Sequence, residues 1–320
     1  MSLRMWIWSL KKRVGRLPAV ATVRRRLQPE SIKPSEYHKA VLSESAGNDL
    51  IRSRLASGGP LAVERIGGGE LACLNHYLYR RRGSRQPLPY PRPVVELITN
   101  NAGVFPDTED ALDHFCEEAL EALTHADVLG LTFQRYQNRV IREYCPRAEL
   151  IPATSIEPYY HTDPWSAALR GRRVLVVHPC SETIREQYEG RRERLFDDRD
   201  MLPPFELQVI KAVQSITGEP TDFESWSEAL DSMKQAMDAT VYDVCIVGAG
   251  AYGAPLTAHA KKSGKQGIHM AGATQVLFGI KGRRWDHIEA ISKLYNDSWV
   301  RPRASEVPRN SMTVEGGCYW

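Results

Sequence analysis

Residues 242–285, YDVCIVGAGAYGAPLTAHAKKSGKQGIHMAGATQVLFGIKGRRW, are the most informative stretch of this chain. The apolar run 244–247 predicts a buried strand, and GAGAYG at 248–253 predicts a tight turn into an alanine-rich helix that ends near Lys262. This order predicts an anion site, because the free N–H groups and the positive dipole end of the helix face whatever lies above the strand. We therefore expect a phosphorylated ligand at this turn.

The glycines of the turn also fit the G-x-G-x-x-G spacing of dinucleotide-binding folds, at Gly248, Gly250 and Gly253. Such folds use an acidic residue about 20 positions further on to bind the ribose. The next predicted strand, 266–270, runs into Ala-Gly-Ala-Thr without a carboxylate, which counts against NAD. Two interpretations stay open: a phosphate or nucleotide site, and a glycine turn that serves close packing alone.

The composition is typical of a globular enzyme, with 42% hydrophobic and 25% charged residues among 320. No run approaches the roughly 20 apolar residues that a membrane-spanning helix needs. The N-terminus lacks the long apolar region and cleavage site of a signal peptide. Six scattered cysteines without a C-x-x-C pair argue against a zinc ribbon or a disulfide framework. We therefore expect a cytoplasmic protein.

Charge is distributed unevenly along the chain. The first 40 residues hold ten Lys or Arg against two Glu, a net charge of +8, whereas the whole chain carries +3. Trp6 and Trp8 lie in this basic arm, and such a combination suits a membrane surface with anionic headgroups. Two interpretations fit this composition: peripheral membrane contact through residues 1–30, and a solvated extension. The slightly acidic remainder predicts no nucleic-acid binding. We divide the chain into the arm, 1–40, and a single domain, 41–320.

Apolar strands alternate with helices beyond the arm. The pattern predicts helices at 34–56 (with Ser35 as its cap), 70–81, 107–125, 134–145, 181–195 (capped by Ser181) and 253–262, and strands at 61–66, 128–133, 150–155, 173–178, 243–247 and 266–270. Segments 207–217 and 225–239 are amphipathic, and 83–93 is a proline-rich loop. This alternation predicts a Rossmann-like α/β fold, with a mostly parallel sheet covered by helices on both faces.

Ligands of parallel sheets bind at the carboxyl ends of the strands, so the residues that follow each strand are candidates for chemistry. Glu70 follows the glycines 67–69 at a predicted helix start. There a carboxylate can act as a base, bind a metal, or only interact favourably with the helix dipole. Arg65 can clamp a phosphate or form a structural ion pair.

Two histidines and a basic cluster complete the candidates. His178 and His269 end two predicted strands, and either a ligand contact or a buried structural role suits them. Lys281 and Arg284, after the glycine-rich helix, suit a diphosphate or an exposed basic patch. The catalytic candidates are therefore Glu70, His178 and Arg65. The residues expected to bind the ligand are Gly67, Gly68, Gly69, Gly248, Gly250, Tyr252, Gly253, His269, Lys281 and Arg284.

Several motifs follow one another in an informative order: ERIGGGE at 64–70, PWSAALRGRRVLVVHP at 164–179, the stretch 242–285, and EGGCYW at 315–320. Together they resemble bacterial glycosyltransferases with the GT-D fold, which build surface glycans from nucleotide sugars. The first motif resembles the R-[FY]-G-D-G-E segment of that family. The resemblance covers roughly residues 55–320.

The resemblance implies a cytoplasmic enzyme that moves a hexose from a nucleoside-diphosphate donor, usually UDP-linked, to a glycan or lipid-linked acceptor. In that family the acids of D-x-E contact the divalent metal and the diphosphate. The matching positions here are Gly68, Gly69 and Glu70. Glu70 would therefore be the single carboxylate of this motif that can bind Mn²⁺ or Mg²⁺. The basic cluster 281–284 would then neutralise the leaving diphosphate. Glu70 and His178 are the candidate bases for the acceptor hydroxyl.

Two other functions stay open from the sequence. One is an oxidoreductase that binds NAD(P) or FAD at the G-x-G-x-x-G turn, against which the missing ribose carboxylate counts. The other is a non-catalytic glycan-assembly protein, which the loss of the aspartate at position 68 would predict.

Overall fold

The computed structural model describes residues 32–81 and 87–320. Seven strands form one sheet in the order β3-β2-β1-β7-β6-β4-β5. The strands are β1 (Leu61–Arg65), β2 (Val128–Leu131), β3 (Glu149–Pro152), β4 (Arg173–His178), β5 (Glu206–Lys211), β6 (Val244–Val247) and β7 (Gln266–His269). All neighbouring strands of this sheet pair in parallel. The predicted Rossmann-like α/β class is therefore confirmed.

Helices connect the strands and cover both faces of the sheet. They are α1 (Glu44–Ser57), α2 (Gly68–Arg80), α3 (Arg92–Glu96), α4 (Glu109–Leu123), α5 (Gln137–Tyr144), α6 (Ser181–Leu195), α7 (Trp226–Asp238), α8 (Gly253–Lys262), α9 (Thr274–Leu277), α10 (Arg283–Asp286) and α11 (Glu289–Ser292). Hydroxyl caps begin several of them: Ser43, Thr108 and Ser225 each accept a hydrogen bond from a backbone N–H three residues further on.

The two faces of the sheet pack against different helices. Apolar side chains of α2, α4, α7 and α8 fill one core, and those of α1, α6 and α9 fill the other. The helices that follow β1 and β6 therefore lie on one face, whereas those that follow β4 and β7 lie on the opposite face. A crevice forms at the carboxyl edge of a sheet where the helices that follow two neighbouring strands lie on opposite faces. This places crevices beside β7, and between β6 and β4.

Two local predictions were wrong, and one segment described only as amphipathic begins as a strand. The predicted helix 34–56 is a 3₁₀ turn, Pro34–Glu36, followed by α1, which is capped by Ser43 and not by Ser35. The segment 207–217 begins as the edge strand β5, whose six residues are too few to separate helical from strand periodicity. Ser181 is the first residue of α6, and Cys180 before it makes no side-chain cap.

The basic arm falls almost entirely outside the described residues, since its residues 1–31 are not among them. The predicted membrane contact through 1–30 therefore stays a prediction. Within residues 32–81 and 87–320, no helix combines the length and the hydropathy needed to cross a bilayer. All six cysteines are buried free thiols.

Candidate functional site

The ends of β1, β6 and β7 bring several predicted residues to one place. Arg65, Glu70, Gly250 and His269 all line a cavity of about 20 Å³, which has the room of about one water molecule. Apolar side chains of α2 and α4 form the floor of the cavity, Leu74 among them. The parallel sheet thus gathers residues that are up to 204 positions apart in the sequence at one edge.

Glu70 lies in the first turn of α2, with its carboxylate folded back against Gly67. A Cβ at position 67 would overlap that carboxylate, so the glycine is needed for this geometry. Burial raises the pKa of the Glu70 carboxyl, against the opposing effects of its own backbone N–H and of the Arg65 charge. A carboxyl with a raised pKa suits proton transfer near neutral pH.

Arg65 lies between several polar groups at the end of β1. Its Nη1 is 3.2 Å from Glu157 Oε1 and donates to the carbonyl oxygen of Met270 at 3.4 Å. The Arg65 side chain is 18% exposed, so it is held by these contacts and is still partly open to solvent. Both roles predicted for Arg65, ion pair and phosphate contact, remain compatible with this position.

His269 forms a buried pair with Glu64, a residue that the sequence analysis did not single out. His269 Nδ1 is 3.4 Å from Glu64 Oε2, and the two side chains are 5% and 0% exposed. Burial, together with the nearby charge of Arg65, lowers the pKa of His269 to about 3, and burial raises the pKa of Glu64 well above its ordinary value. Burial therefore favours the neutral form of both groups. The sequence signal that could have identified Glu64 is a glutamate within an otherwise apolar predicted strand.

His178 ends β4 and is 4% exposed. The backbone N–H of Cys180 donates to His178 Nδ1 at 2.9 Å, which leaves the ring proton on Nε2. Burial lowers the pKa of His178 to about 3, so the ring stays neutral. This tautomer suits donation of a hydrogen bond better than removal of a proton. Of the two candidate bases, the geometry therefore favours Glu70.

The buried state of His178 predicts a pH dependence of stability. Its pKa is about 3 in the folded protein and near 6.5 in the unfolded chain, so below pH 6.5 the unfolded chain binds the additional proton. We expect the free energy of unfolding to fall by about 1.4 kcal/mol per pH unit between about pH 6 and pH 4 from this residue. Burial also lowers the pKa of His269 to about 3, but His269 is present in both the parent chain and the His178 variant, so its contribution cancels when the two are compared.

Urea denaturation of His178→Asn at several pH values measures this effect, since the Asn oxygen can still accept from Cys180. The variant is expected to show a flatter pH profile than the parent chain. Replacement of the exposed His287 by Asn is the control and is expected to leave the profile unchanged. An identical slope in His178→Asn would show that His178 is not buried in its neutral form.

The glycine turn after β6 is packed closely by protein atoms. A Cβ on Gly248 would lie 2.6 Å from the Ala271 oxygen, from the ring of His178 and from Thr274 Oγ1. Gly250 has a positive φ of 54°, and a Cβ there would lie 2.6 Å from the Ala102 oxygen. These contacts support the close-packing interpretation of the glycines. Phosphate binding at the turn stays a prediction.

The two remaining glycine-turn residues also face protein groups. A Cβ on Gly253 would overlap the ring of His269. The ring of Tyr252 is 1% exposed and stacks on Trp226 with the centroids 5.3 Å apart. Tyr252 is therefore a core residue, and the structure does not place its side chain on the cavity.

The basic cluster after α9 contacts aromatic rings. The ammonium group of Lys281 lies 5.1 Å from the centre of the Tyr295 ring. Arg284 lies 4.8 Å from the centre of the Tyr319 ring and pairs with Glu315 at 2.5 Å. Burial raises the pKa of the Tyr319 phenol, and the charge of Arg284 opposes that shift. Tyr319 and Arg284 pack against each other, and neither is among the residues that line the cavity beside Glu70.

The residues at the D-x-E position do not fit a resident divalent metal. Mg²⁺ and Mn²⁺ take several oxygen ligands, whereas Glu70 is the single carboxylate at this position. At Gly68 a Cβ would lie 3.2 Å from the side-chain amide of Gln134, not beside a second acid. Among the described residues, no three His, Cys, Asp or Glu side chains are grouped as metal ligands. Arg65 is the cation that lines this cavity, whereas Arg284 lies in the basic cluster after α9.

Comparison with known proteins gives matches at the levels of family and fold. The model of the GT-D fold-like domain matches residues 43–277, more than two thirds of the chain. A new glycosyltransferase (DUF1792) from Streptococcus sanguinis is 11% identical, with a TM-score of 0.38, over 83% of this chain and 95% of that one. A selenomethionine-substituted domain of unknown function 1792 is 12% identical, with a TM-score of 0.35, over 81% and 96%. No curated protein matches the chain significantly.

At these identities and TM-scores the assignment rests on the family model. The matched segment contains the whole sheet and the residues around the cavity. The chain belongs to the GT-D-like family, and the expected glycosyltransferase of the GT-D fold is confirmed at that level.

Proposed function

We propose that this chain transfers a hexose from a nucleoside-diphosphate sugar, with UDP as the nucleotide, to a hydroxyl of a glycan or lipid-linked acceptor during synthesis of a bacterial surface polysaccharide. The observation that carries the proposal is the convergence of Glu70, Arg65 and His269 on one cavity at the carboxyl edge of a GT-D-like sheet. Ligands of open α/β sheets bind at such an edge.

In the proposed reaction, Glu70 takes the proton of the acceptor hydroxyl. The acceptor oxygen then forms a bond to the anomeric carbon of the donor sugar, and the bond from that carbon to the diphosphate oxygen breaks. The electron pair leaves with the nucleoside diphosphate. Arg65 and Arg284 stabilise the developing negative charge, which a preorganised cation does without a metal. His178 supports the site as a neutral hydrogen-bond donor.

We further propose that the protein is cytoplasmic and that its basic arm, residues 1–30, contacts the inner face of the membrane, where lipid-linked acceptors lie. The charge and tryptophans of the arm support this. Binding to vesicles that contain anionic lipids is the test. Binding that persists unchanged after deletion of residues 1–30 would contradict the role of the arm.

A thermal-shift panel tests the donor. Purified protein is heated with UDP, UDP-sugars, GDP-sugars, NADH and FAD, each with and without Mn²⁺. Ligand at about a hundredfold excess over its dissociation constant stabilises the native state by about 2.7 kcal/mol. We expect a shift with UDP and with one UDP-sugar, independent of Mn²⁺. A shift with NADH or FAD alone would replace this proposal by the oxidoreductase, and no shift with any ligand would favour the non-catalytic protein.

Replacing Gly68 by aspartate is expected to make the binding of UDP depend on a divalent metal. In Gly68→Asp the new side chain meets only the flexible amide of Gln134, so the fold should accept it. The new carboxylate, two residues before Glu70 at the start of α2, then offers Mn²⁺ a further oxygen ligand. We expect UDP to bind roughly 10-fold more tightly with Mn²⁺ than without it, a difference of about 1.4 kcal/mol.

Calorimetric titration of UDP measures this change, and Gly68→Asn is the matched control without the charge. The asparagine variant is expected to bind UDP equally well with and without Mn²⁺. If Gly68→Asp binds UDP equally well with and without Mn²⁺, the interpretation of this site as a D-x-E motif that lost its aspartate is contradicted.

A further inference from the structure

Glu64 and His269 lie side by side near the carboxyl ends of two central strands. They follow the paired residues Val63 of β1 and Ile268 of β7, so their side chains leave the same face of the sheet. Both side chains are buried, and Glu64 Oε2 is 3.4 Å from His269 Nδ1. The sheet thus places a carboxyl group and an imidazole next to each other in the interior.

The polar atoms of this pair have no hydrogen-bond partner in the described part of the chain. Both carboxyl oxygens of Glu64 and both ring nitrogens of His269 are buried without one. Gln266, another buried polar residue of β7, instead donates to three backbone carbonyl oxygens. Buried polar groups are almost always hydrogen-bonded, because an unpartnered group has lost its bonds to water. Packing alone therefore does not explain the pair, since an apolar residue at position 64 would pack at lower cost.

The chemistry of the two groups determines how they can satisfy each other. No Lys or Arg of the described residues donates to Glu64, and a lone buried carboxylate is very costly, so burial favours the neutral acid. A neutral carboxylic acid has one donor, its O–H group, and a neutral imidazole has one acceptor nitrogen. The nitrogen of His269 that faces the Glu64 carboxyl is Nδ1. A hydrogen bond donated by the Glu64 O–H to Nδ1 leaves the imidazole proton on Nε2.

The separation of 3.4 Å is a few tenths of an ångström longer than a good hydrogen bond. A small rotation of either side chain is therefore enough to form it. Hydrogen bonds between functional side chains are often long in proteins without a substrate and shorten when the substrate binds.

The opposite edge of the imidazole faces the cavity beside Glu70. A Cβ on Gly253 would overlap the ring of His269 most closely at Nε2. Gly250 and Ala254, on either side of that glycine, line the cavity together with His269. Nε2 is therefore the ring nitrogen on the cavity side, where its proton can be donated.

The cavity offers one oxygen atom a complete set of partners. Its volume of about 20 Å³ holds one water molecule, and a buried water usually makes about three hydrogen bonds. His269 can donate to that oxygen through Nε2. Arg65 can donate too, since its guanidinium has more N–H groups than its bonds to Glu157 and Met270 use. The Glu70 carboxylate can accept the proton that the oxygen carries.

We propose that Glu64 is a positioning residue, which donates to His269 Nδ1 and thereby fixes the ring as a donor, through Nε2, to one oxygen atom in the cavity. In the protein without substrate this oxygen belongs to a water molecule. During transfer it is the hydroxyl oxygen of the acceptor, whose proton passes to Glu70 as the oxygen bonds to the anomeric carbon. Arg65 and Glu70 are half-buried and Gly250 is exposed, so the acceptor can approach from the surface. This second role rests on the proposed function, whereas the first does not.

NMR of the histidine rings tests the pair without any ligand. In protein labelled with ¹⁵N at histidine, the signals of His269 are those that disappear in His269→Asn. Near pH 7 we expect a protonated Nε2 and an unprotonated Nδ1. Glu64→Gln is expected to keep this tautomer, because its amide N–H can also donate to Nδ1, whereas Glu64→Leu is expected to populate both tautomers. A proton on Nδ1 in the parent chain, or an unchanged spectrum in Glu64→Leu, would overturn the proposal.

A crystal structure that resolves ordered water tests the oxygen site. In the parent chain we expect one water within hydrogen-bond distance of both His269 Nε2 and the Glu70 carboxylate. A cavity that holds no water, or a ring whose Nε2 points away from the water, contradicts the site. Neither this measurement nor the NMR spectra depend on the identity of the substrate.

Steady-state kinetics test the role in transfer. Glu64→Leu is expected to lower kcat roughly 10-fold, the effect of about one lost neutral hydrogen bond, while the affinity for the donor stays the same. Glu64→Gln is the matched variant and is expected to keep at least a third of the parent's kcat. A parental rate in Glu64→Leu, or equal losses in both variants, would exclude the pair from transfer. If no nucleotide sugar binds, the proposed function fails, and the NMR spectra and the crystal structure still decide the hydrogen bond and the water.

Discussion

Glu70→Gln is expected to lower the rate of sugar transfer by about 10²- to 10⁴-fold, the usual contribution of a positioned general base. The amide keeps the size of the carboxyl and still offers an oxygen to the backbone N–H at the start of α2, so the fold should survive. It cannot accept the acceptor's proton. Donor affinity should therefore change little while kcat falls, and steady-state kinetics with the donor found by the thermal-shift panel separate the two.

Two further variants sharpen that experiment. Glu70→Asp keeps the charge but retracts it by about one methylene, and we expect an intermediate rate. Glu118→Gln is the control, because Glu118 forms a surface ion pair with Lys234 at 3.2 Å on α4. A Glu70→Gln enzyme with at least a third of the parent's kcat would exclude Glu70 as the base and leave it as a partner of the helix dipole.

Gly253→Ala is expected to destabilise the protein by about 3 kcal/mol, the upper end for overpacking a core. The new methyl group would overlap the ring of His269, and Glu64 lies 3.4 Å from Nδ1 of that ring. Either α8 or His269 must shift. Chemical denaturation followed by circular dichroism measures the loss.

Gly190→Ala is the matched control with the opposite sign. Gly190 is an exposed residue within α6 and has nothing near the position of a Cβ, so alanine there should stabilise by about 0.5–1 kcal/mol. The double variant Gly253→Ala/His269→Ala should lose less than the sum of the single changes, because it removes the overlapping ring. Additive losses would show that Gly253 and His269 are not in contact.

The strands at the centre of the sheet could be predicted from the chain alone. RVLVVH at 173–178 became β4 with the predicted bounds, and the apolar run 244–247 became β6. Each is buried on both faces, so its residues read as a continuous apolar run. Strand β5 escaped prediction because it lies at the sheet edge, where Glu206–Lys211 mixes exposed and half-buried positions.

The carboxyl edge as the location of the site was also predictable. Parallel strands place all their carboxyl ends at one edge, so Arg65, Glu70 and His269 were expected at the same edge, and the pairing of β1 with β7 brings them together. Two candidates have surroundings that the sequence could not show. Tyr252 stacks in the core, and His178 accepts a backbone hydrogen bond that assigns its proton to Nε2. Hydrophobic periodicity predicts which face of an element a residue occupies, but it does not predict which neighbouring residue the side chain contacts.

The α/β class, the central strands and the edge that carries the candidate site follow from local hydrophobic patterns and the geometry of parallel sheets, so the chain alone predicts them. Which distant side chains contact one another depends on the folded structure. Glu64 and His269 are 205 positions apart in the sequence, and Arg284 lies over the ring of Tyr319, a contact that no local pattern predicts. Such contacts depend on how helices and loops pack over the sheet, and that packing is a property of the whole chain.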